Sequence, residues 1–594
     1  MTRTACTLAL FTSLLACGAE LEEDPATDET AARRTSSAGT QHTLDDAAFH
    51  DVAHAAGVHF EHEHGGRGRK FLFETMGSGV AVDDFDGDGL PEIFLLQSGT
   101  LPVEAFSADE LSSARHTSFE SSRLFANRGG LRFDDVTSTS GLGEPHFAMG
   151  VAAGDIDADG DRDLYVAAYG PDRLHRNDGD LVFSEVSALA GVVDPRWTVG
   201  GAFFDADLDG DLDLYSVAYL DMPISSHTFC GPSPEQRIYC HVDRWPGIHD
   251  RLWLNDGSGF FTDGSAHAGL TELAGKGLAA VTSDFDLDGD VDVFVANDGM
   301  ANHLLINASD GGAPRFVEQA RRAGLDLNAD GRTEACMGVA LGDFDADGDS
   351  DLYVANFELE TNTLYRNEGR GFFTDISVAS GAGAPTRAQL GFGALSLDAD
   401  NDGDLDLYVT NGHILDNAED LEAHRRWAQP DQLFLNAGDG RFTHAPESTG
   451  ASLTEARVGR GLARGDLDGD GDDDLVVNNN SGAPWVLENR FARGHSLQLE
   501  LLGPHGRADA EGARVSFEFA DRELVREFSR GESYASHSTS VIQLGLAASE
   551  SVRVRVRWPG GAVSEHGPWT TGARYRIGFE GASEERRALP PAPR

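Results

Sequence analysis

Four kinds of short apolar run recur in a fixed order along most of the chain. One, such as Gly338-Val339-Ala340-Leu341, precedes an acidic turn, and a second, such as Leu164-Tyr165-Val166, follows it. A third ends in Asn, at residues 124–127, 174–177, 252–255, 304–307, 364–367, 433–436 and 485–489. The fourth resembles Phe-x-Asp-Val and begins at Phe133, Phe183, Phe261, Phe316, Phe373 and Phe442. Short runs of this composition, bounded by Gly and Asp, predict strands joined by tight turns. The order repeats seven times, so the pattern predicts an all-β ring of seven four-stranded units, a seven-bladed β-propeller over residues 46–490. The seventh repeat stops at Asn489 without its fourth strand, while an isolated Phe49-His50-Asp51-Val52 stands at the start. That N-terminal strand is expected to complete the seventh unit, which hides a sheet edge and closes the ring.

The turn between the first and second runs is the most regular feature of the chain. Asp stands at positions 1, 3 and 5, Gly at 6 and an acid at 9. Positions 1, 3, 5, 7 and 9 are Asp84, Asp86, Asp88, Leu90 and Glu92 in the first copy, and Asp155, Asp157, Asp159, Asp161 and Asp163 in the second. They are Asp205, Asp207, Asp209, Asp211 and Asp213, then Asp284, Asp286, Asp288, Asp290 and Asp292, then Asp343, Asp345, Asp347, Asp349 and Asp351. The last two copies are Asp398, Asp400, Asp402, Asp404 and Asp406, and Asp466, Asp468, Asp470, Asp472 and Asp474. A hard cation takes six to eight oxygens, and such a turn aims alternate carboxylates and the position-7 carbonyl at one point. Calcium is the expected cofactor, about seven ions. An EF-hand is excluded, because that loop needs a bidentate Glu at position 12 and a following helix. Here that place falls at Leu95, Val166, Tyr215-Ser216, Val295, Val354, Val409 and Val477, all strand residues.

Composition sharpens this picture. The chain has 594 residues, and 46 Lys and Arg against 99 Asp and Glu give 46 − 99 = −53. That charge excludes unaided binding to nucleic acid or to an anionic membrane face. Five Cys are too few for a disulfide scaffold of this length. Residues 1–16 read as a signal peptide, and Leu14-Leu15-Ala16-Cys17 resembles a bacterial lipobox in which Cys17 becomes lipidated. The expected product is an exported lipoprotein of the outer membrane or cell surface, with residues 17–45 as a flexible acidic tether and 584–594 as a disordered tail.

The acidic turns and their strands look like FG-GAP or VCBS repeats, as in the integrin α-subunit propeller. Beyond Asn489 the residues Gly512-Ala513-Arg514-Val515, Arg526, Gly531, Ser533-Tyr534, Gly545-Leu546 and Val554 to Trp558 with Pro559-Gly560-Gly561 look like the ASPIC/UnbV module, expected as a small β domain over 491–583. With Glu74-Thr75-Met76-Gly77, Cys230-Gly231-Pro232 to Tyr239-Cys240 and Asn411-Gly412-His413, the chain resembles the cartilage acidic protein family in its bacterial form. One stretch departs from the family: Gly531-Glu532-Ser533-Tyr534-Ala535-Ser536-His537 stands where a Gly-Ser-Gly-Tyr-Leu-Ser-Gln-like sequence is usual.

Other candidates carry two readings each. Cys230 and Cys240 close a short loop and are expected to form a disulfide, while Cys336 reads as a buried small hydrophobe. His59, His62 and His64 form either a second metal site or a packed strand. Asn297, Asn356, Asn411 and Asn479 either cap turns or ring a ligand. Arg464-Gly465-Asp466 spells an adhesion tripeptide whose Asp is committed to a metal turn. Insertions from about residue 98 to 123, 219 to 250 and 413 to 432 are expected on the face opposite the acidic turns, where a protein or glycan partner would bind; residues 225–245 are expected to be dispensable for the fold apart from their disulfide. Recognition is the first functional reading. Its rival is a polysaccharide-active enzyme using carboxylates of the insertions, such as Asp221, Glu235 or Asp243.

Overall fold

Seven four-stranded antiparallel sheets follow one another along the chain in a computed structural model. It describes residues 48–589 except 67, 100–120, 310, 446–449, 492–494, 505, 506, 508, 509, 547, 548 and 550, together with the backbone but not the side chain of Glu235. Cys17, the signal peptide and the tether lie outside the described residues, as does most of the first insertion.

Blade 1 comprises Val80–Asp83, Glu92–Leu95, Arg123–Asn127 and Phe133–Asp135. Blades 2 to 6 repeat the order from Ala148–Gly154, Thr198–Phe204, Gly277–Ser283, Val339–Gly342 and Gly391–Leu397. Blade 7 has Gly459–Gly465, Asp474–Asn479 and Trp485–Asn489, and its fourth strand is Phe49–Asp51, with Phe49 opposite Asn489. The first strand of each blade packs against the first strand of the next, and that of blade 7 returns to blade 1. The ring is therefore closed by sheet packing as well as by the N-terminal strand. Phe49 is wholly buried against Tyr408 and Phe491, which anchors the closure.

A feature absent from the strand pattern follows the fourth strand of blades 1 to 5. A single helical turn, such as Ser187–Ala190, ends at a glycine with φ near +87°. In blades 1, 2, 3 and 5 its first residue is Ser or Thr, whose hydroxyl accepts an N–H near the start of the third strand, as Ser187 does from Leu174 at 2.7 Å; in blade 4, where the turn begins at Ala320, Glu318 takes that place. The turn thus satisfies an edge group that the sheet leaves over.

The C-terminal module is a sandwich of two four-stranded sheets around Leu497, Leu499, Val515, Phe517, Val554, Val556, Trp558 and Trp569. The tail expected from residue 584 instead supplies an edge strand, Glu584–Ala588, paired with Ala573–Ile577. It pairs because the neighbouring strand offers a free row of backbone groups, and the exposed Glu-Glu-Arg-Arg side chains need no core.

Between these sheets, residues 528–541 leave the module and enter the ring. Their backbone bonds to Thr282 of blade 4, Val339 of blade 5, Val151 of blade 2 and both Val80 and Val82 of blade 1. Ser536 and Ser538 side chains accept from Leu462 and Arg464 of blade 7, and Glu532 accepts from Leu341 of blade 5 and Ser396 of blade 6. A segment that touches first strands all round a closed ring lies on its axis. Close approach explains the bare first strands: a Cβ on Gly79 would sit 2.2 Å from the Ala535 carbonyl oxygen, and one on Gly461 2.8 Å from Ser536 Oγ. The stretch that departs from the family pattern is thus a plug. His537 Nε2 lies 2.9 Å from Asp83, which Arg162 also pairs at 2.9 Å. Tyr534 is fully buried, with its hydroxyl donating to the Met76 carbonyl at 2.7 Å. Among the described residues no helix is long and apolar enough to cross a membrane.

Two measurements check these roles. Tyr534→Ala should cost about 3–5 kcal/mol in urea unfolding, the usual penalty for truncating a buried aromatic. A chain starting after Val52 should melt well below one starting after Thr43; equal melting would show that Phe49–Asp51 does not close the ring.

Candidate metal centres and the insertion face

Each acidic turn is shaped by its own backbone. The position-6 glycine has φ between 94° and 109°, a region that a side chain strains, and its N–H donates to the position-1 carboxylate. The position-9 carboxylate accepts on both oxygens. In blade 2, Ile156 N–H donates to one oxygen of Asp163 at 2.9 Å and Asn177 N–H to the other at 2.7 Å. The same pair of bonds recurs at Glu92, Asp213, Asp292, Asp351, Asp406 and Asp474.

The Asn that ends each third strand has a second task that the sequence pattern did not disclose. Its side-chain amide donates to the position-2 carbonyl of the preceding turn: Asn177 to Phe85, Asn255 to Ile156, Asn307 to Ala206, Asn367 to Phe285, Asn436 to Phe344 and Asn489 to Ala399. Asn127 of blade 1 reaches Leu467 of blade 7 and completes the circuit. The turns are therefore stitched to one another around the ring.

Within this frame carboxylate oxygens converge. Those of positions 1, 3 and 9 lie within 4.8 Å of one another at Asp84/Asp86/Glu92, Asp155/Asp157/Asp163, Asp205/Asp207/Asp213 and Asp284/Asp286/Asp292, as do positions 1, 3 and 5 at Asp343/Asp345/Asp347. Burial raises their proton affinities, helped by mutual repulsion: Glu92 and Asp351 are pushed up to about 9, Asp398 to about 8, and Asp284, Asp343 and Asp466 to about 7. One oxygen each of Asp84, Asp157, Asp207, Asp284 and Asp398 is buried without a hydrogen-bond partner. Buried orphan acceptors amid like charges suit a cation, and the hard oxygen donors suit a hard one. These clusters could each hold a metal ion.

At position 7 the side chains do not share one fate: Asp472 is buried in its own turn, while two others reach the C-terminal module. Asp404 meets Arg522 of the C-terminal module at 2.9 Å, and Asp349 lies 4.0 Å from Arg514. Arg557 lies 3.7 Å from Asp284, and Arg587 donates to the Asp88 carbonyl. The module thus sits on the acidic-turn face and sets arginines against its charge.

On the opposite face the second insertion, with Ile414 and Leu415 of the third, forms a cap instead of a dispensable loop. Cys230 and Cys240 are joined by a disulfide, Cα to Cα 5.3 Å. Tyr239, Cys240 and Trp245 pack with Phe71, Phe73, Trp197, Tyr219, Phe392 and Tyr534 in one apolar cluster over the end of the plug. Trimming residues 225–245 would open that core, which corrects the expectation from sequence; the apolar residues are spaced too irregularly to reveal their common cluster. Lys70 pairs with Asp416, tying the segment before blade 1 to the third insertion. Arg460 is 1% exposed and donates to the carbonyls of Thr75, Gly412, Gly459 and His413, with its guanidinium 3.7 Å over the Phe392 ring. It explains why Glu74-Thr75-Met76-Gly77 and Asn411-Gly412-His413 belong together: one buried arginine clasps both.

The remaining candidates resolve. His62 is buried between Ser98 and the N–H of Ser481, its proton affinity lowered to about 3 by burial, while exposed His59 meets His54 edge to face and His64 is part-buried; the segment is irregular apart from a bridge at His62. Asn297, Asn356 and Asn479 donate to the nearby carbonyls of Ala301, Thr361 and Ala483, the work of turn caps, while Asn411 donates to the Pro430 carbonyl at the far end of the third insertion. Arg464 is paired with Asp473 at 3.1 Å and Asp466 is 5% exposed, so the tripeptide faces inward. Cys336 is buried. Asp243 is exposed and paired with Lys276, which holds its carboxyl below the usual range, the reverse of a general acid; Asp221 is exposed, and the Glu235 side chain lies outside the description.

Asn177→Ala removes donors to two buried carbonyls, on Phe85 and Arg162, and should destabilise the ring by about 2–4 kcal/mol in denaturant unfolding. Burial raises Glu74, which accepts from Tyr239 at 3.2 Å, from 4.5 to about 7. A folded-state value above the unfolded one means that its contribution is present below pH 4.5 and is lost as pH rises through 7. Glu74→Gln should therefore stabilise the protein at pH 8 by on the order of 2 kcal/mol and change little at pH 4, read from melting curves.

Residues 84–166, 155–216, 284–354, 343–409 and 417–490 match the FG-GAP-like repeat family, together more than half of the chain, and residues 503–585 match ASPIC and UnbV. The chain is 28% identical over 311 residues to Cartilage acidic protein 1 of Homo sapiens, a match covering 50% of this chain and 43% of that protein. It is 29% identical over 315 residues to Cartilage acidic protein 1 of Mus musculus, covering 50% and 44%. The chain thus spans less than half the length of the curated relatives it matches. Among solved structures, the Dos1 propeller aligns over 85% of this chain and 95% of its own, with 10% identity and a TM-score of 0.35. The chain belongs to the FG-GAP-like repeat family, with a C-terminal segment that matches ASPIC and UnbV and with similarity to Cartilage acidic protein 1.

Proposed function

We propose that the protein is a calcium-stabilised recognition module, exported and displayed at the outer membrane or cell surface through lipidated Cys17, which binds an extracellular protein or glycan. The observation that carries the reading is the set of convergent carboxylates with buried orphan oxygens in turns stitched into a closed ring. Aspartate and glutamate oxygens in a flexible turn are calcium chemistry, since magnesium demands a stricter octahedron and zinc prefers nitrogen and sulfur.

The partner belongs on the insertion face. The acidic-turn face is occupied by the C-terminal module and the axis by the plug, which leaves the outer surface of the cap, where Phe229 is exposed beside Arg237. Variable loops on a rigid ring are the usual place for recognition. Calcium then acts through stability and takes no direct part in contact.

Seven ions would move the net charge by 7 × 2 = +14, from −53 to −39. Elemental analysis after dialysis in calcium buffer should find several calcium ions per chain; one or none would refute the assignment. A site filled tenfold above its Kd adds about 1.4 kcal/mol, so seven supply on the order of 10 kcal/mol and a chelator should lower the Tm sharply. On a glycan and protein-ligand array, Phe229→Ala should weaken binding without lowering the Tm. An Asp343→Ala, Asp345→Ala variant that stays folded should keep its ligands; loss of binding in that folded variant would mean that the metals themselves bridge to the partner.

A further inference from the structure

The C-terminal module carries a second polar constellation, remote in sequence from every acidic turn. Ser564 and His566 stand two residues apart on the strand Val563–Thr570 and so share a face. Glu584 opens the edge strand Glu584–Ala588 of the other sheet. Ser564 Oγ lies 2.9 Å from His566 Nε2, and His566 Nδ1 lies 2.8 Å from Glu584 Oε2.

Two tryptophans fix the direction of the protons. Trp558 Nε1 is 2.9 Å from Ser564 Oγ, and an indole N–H can only donate, so Oγ accepts there and its own hydrogen is free to point at Nε2. An ionised Glu584 can only accept, so the imidazole hydrogen sits on Nδ1. Trp569 Nε1 donates to the second Glu584 oxygen at 2.9 Å and holds the carboxylate in place. A hydroxyl bonded to an imidazole that is itself oriented by a carboxylate is the arrangement of an activated nucleophile. Its members lie 20 residues apart with no local signature, which is why no motif disclosed them.

Ser564 stands at the open edge of the sandwich and is not enclosed. Val563–Thr570 is the last strand of its sheet, and Ser564 is part-exposed while the His566 side chain beneath it is 7% exposed. On one side lies the Pro559–Gly561 turn, where a Cβ on Gly560 or Gly561 would meet nothing within 4 Å. On the other, Gly581 packs so close that a Cβ would sit 2.8 Å from Ser564 Cβ and 3.2 Å from Oγ, so any larger residue there would crowd the hydroxyl.

We propose that Ser564, His566 and Glu584 form a hydrolytic site for short-chain acyl esters, with Ser564 as nucleophile, His566 as base and Glu584 as the positioning residue. Ser564 Oγ bonds to the ester carbonyl carbon as its proton passes to His566 Nε2. The carbon–oxygen bond to the leaving group breaks, and that oxygen takes the proton from Nε2 and departs as the alcohol. Water then gives a proton to Nε2 and attacks the acyl-serine, the carboxylic acid leaves, and the proton returns to Oγ. The sum is ester plus water to acid plus alcohol. An open site at a sheet edge suits a small acyl group such as acetyl presented on a larger molecule.

The same bonds would also serve as a staple between the two sheets, and labelling separates the roles. The full-length protein, with calcium present, is treated with a short-chain alkyl fluorophosphonate and mapped by mass spectrometry, and p-nitrophenyl acetate turnover is followed in parallel. Adduct on Ser564 is expected, with labelling and turnover falling about 100-fold in Ser564→Ala and His566→Gln at unchanged Tm. Glu584→Gln should lower kcat with KM retained, and Glu584→Asp should restore part of it. Absence of a Ser564 adduct on folded wild-type protein overturns the proposal, and so does labelling or turnover that survives His566→Gln. Should a variant melt early, the wild-type adduct alone decides.

Discussion

Burying a carboxylate on two backbone N–H groups is the interaction on which the rest of this molecule depends. At position 9 of every acidic turn one oxygen is held by the turn and the other by the third strand of the same blade. The Asn supplying that second N–H also reaches across to the preceding turn. One residue pair thus fixes the turn, joins turn to sheet and joins sheet to sheet. A carboxylate bound by N–H groups is stabilised by charge-assisted hydrogen bonds, yet seven clusters of them side by side repel and resist desolvation. Arginines of the C-terminal module meet that charge from outside the turns, and inside them the converging carboxylates could hold cations.

The plug gives the C-terminal module a structural part in the ring. Propeller blades face a central channel, and seven first strands leave inward backbone groups that need partners. Residues 528–541 supply them, and the close approach requires glycine or other small residues where the segment passes. The end of the plug, Tyr534, enters the apolar cap built by the insertions, and Arg460 clasps two turns of that cap by their carbonyls. Ring, plug and cap therefore share buried surface, so a change in one is expected to register in the others' stability.

This arrangement also allots the faces. The acidic turns look toward the module, the channel is filled, and the opposite face carries the apolar cap. The Ser564 relay stands apart from all three, on an edge strand of the module with its hydrogen bonds satisfied internally.

The repeating architecture was legible from the chain alone because both of its signals are local. Strand alternation with fixed turns shows directly in the spacing of Phe, Asn and Gly, and a turn that gathers acidic side chains within nine residues needs no distant partner to be recognised. Phe49–Asp51 could be assigned to blade 7 because the count of strands came out one short. Tertiary structure alone decided what depends on residues far apart in sequence. It put Tyr534 on the axis beside Met76, joined Thr75 to Gly412 through Arg460, turned Tyr239 and Trp245 into core, and set Glu584 against His566. None of these pairs has a characteristic spacing, and each side chain is of a type equally at home elsewhere. Their meaning arises only when the closed ring brings its first strands to one axis and the sandwich brings two sheet edges together.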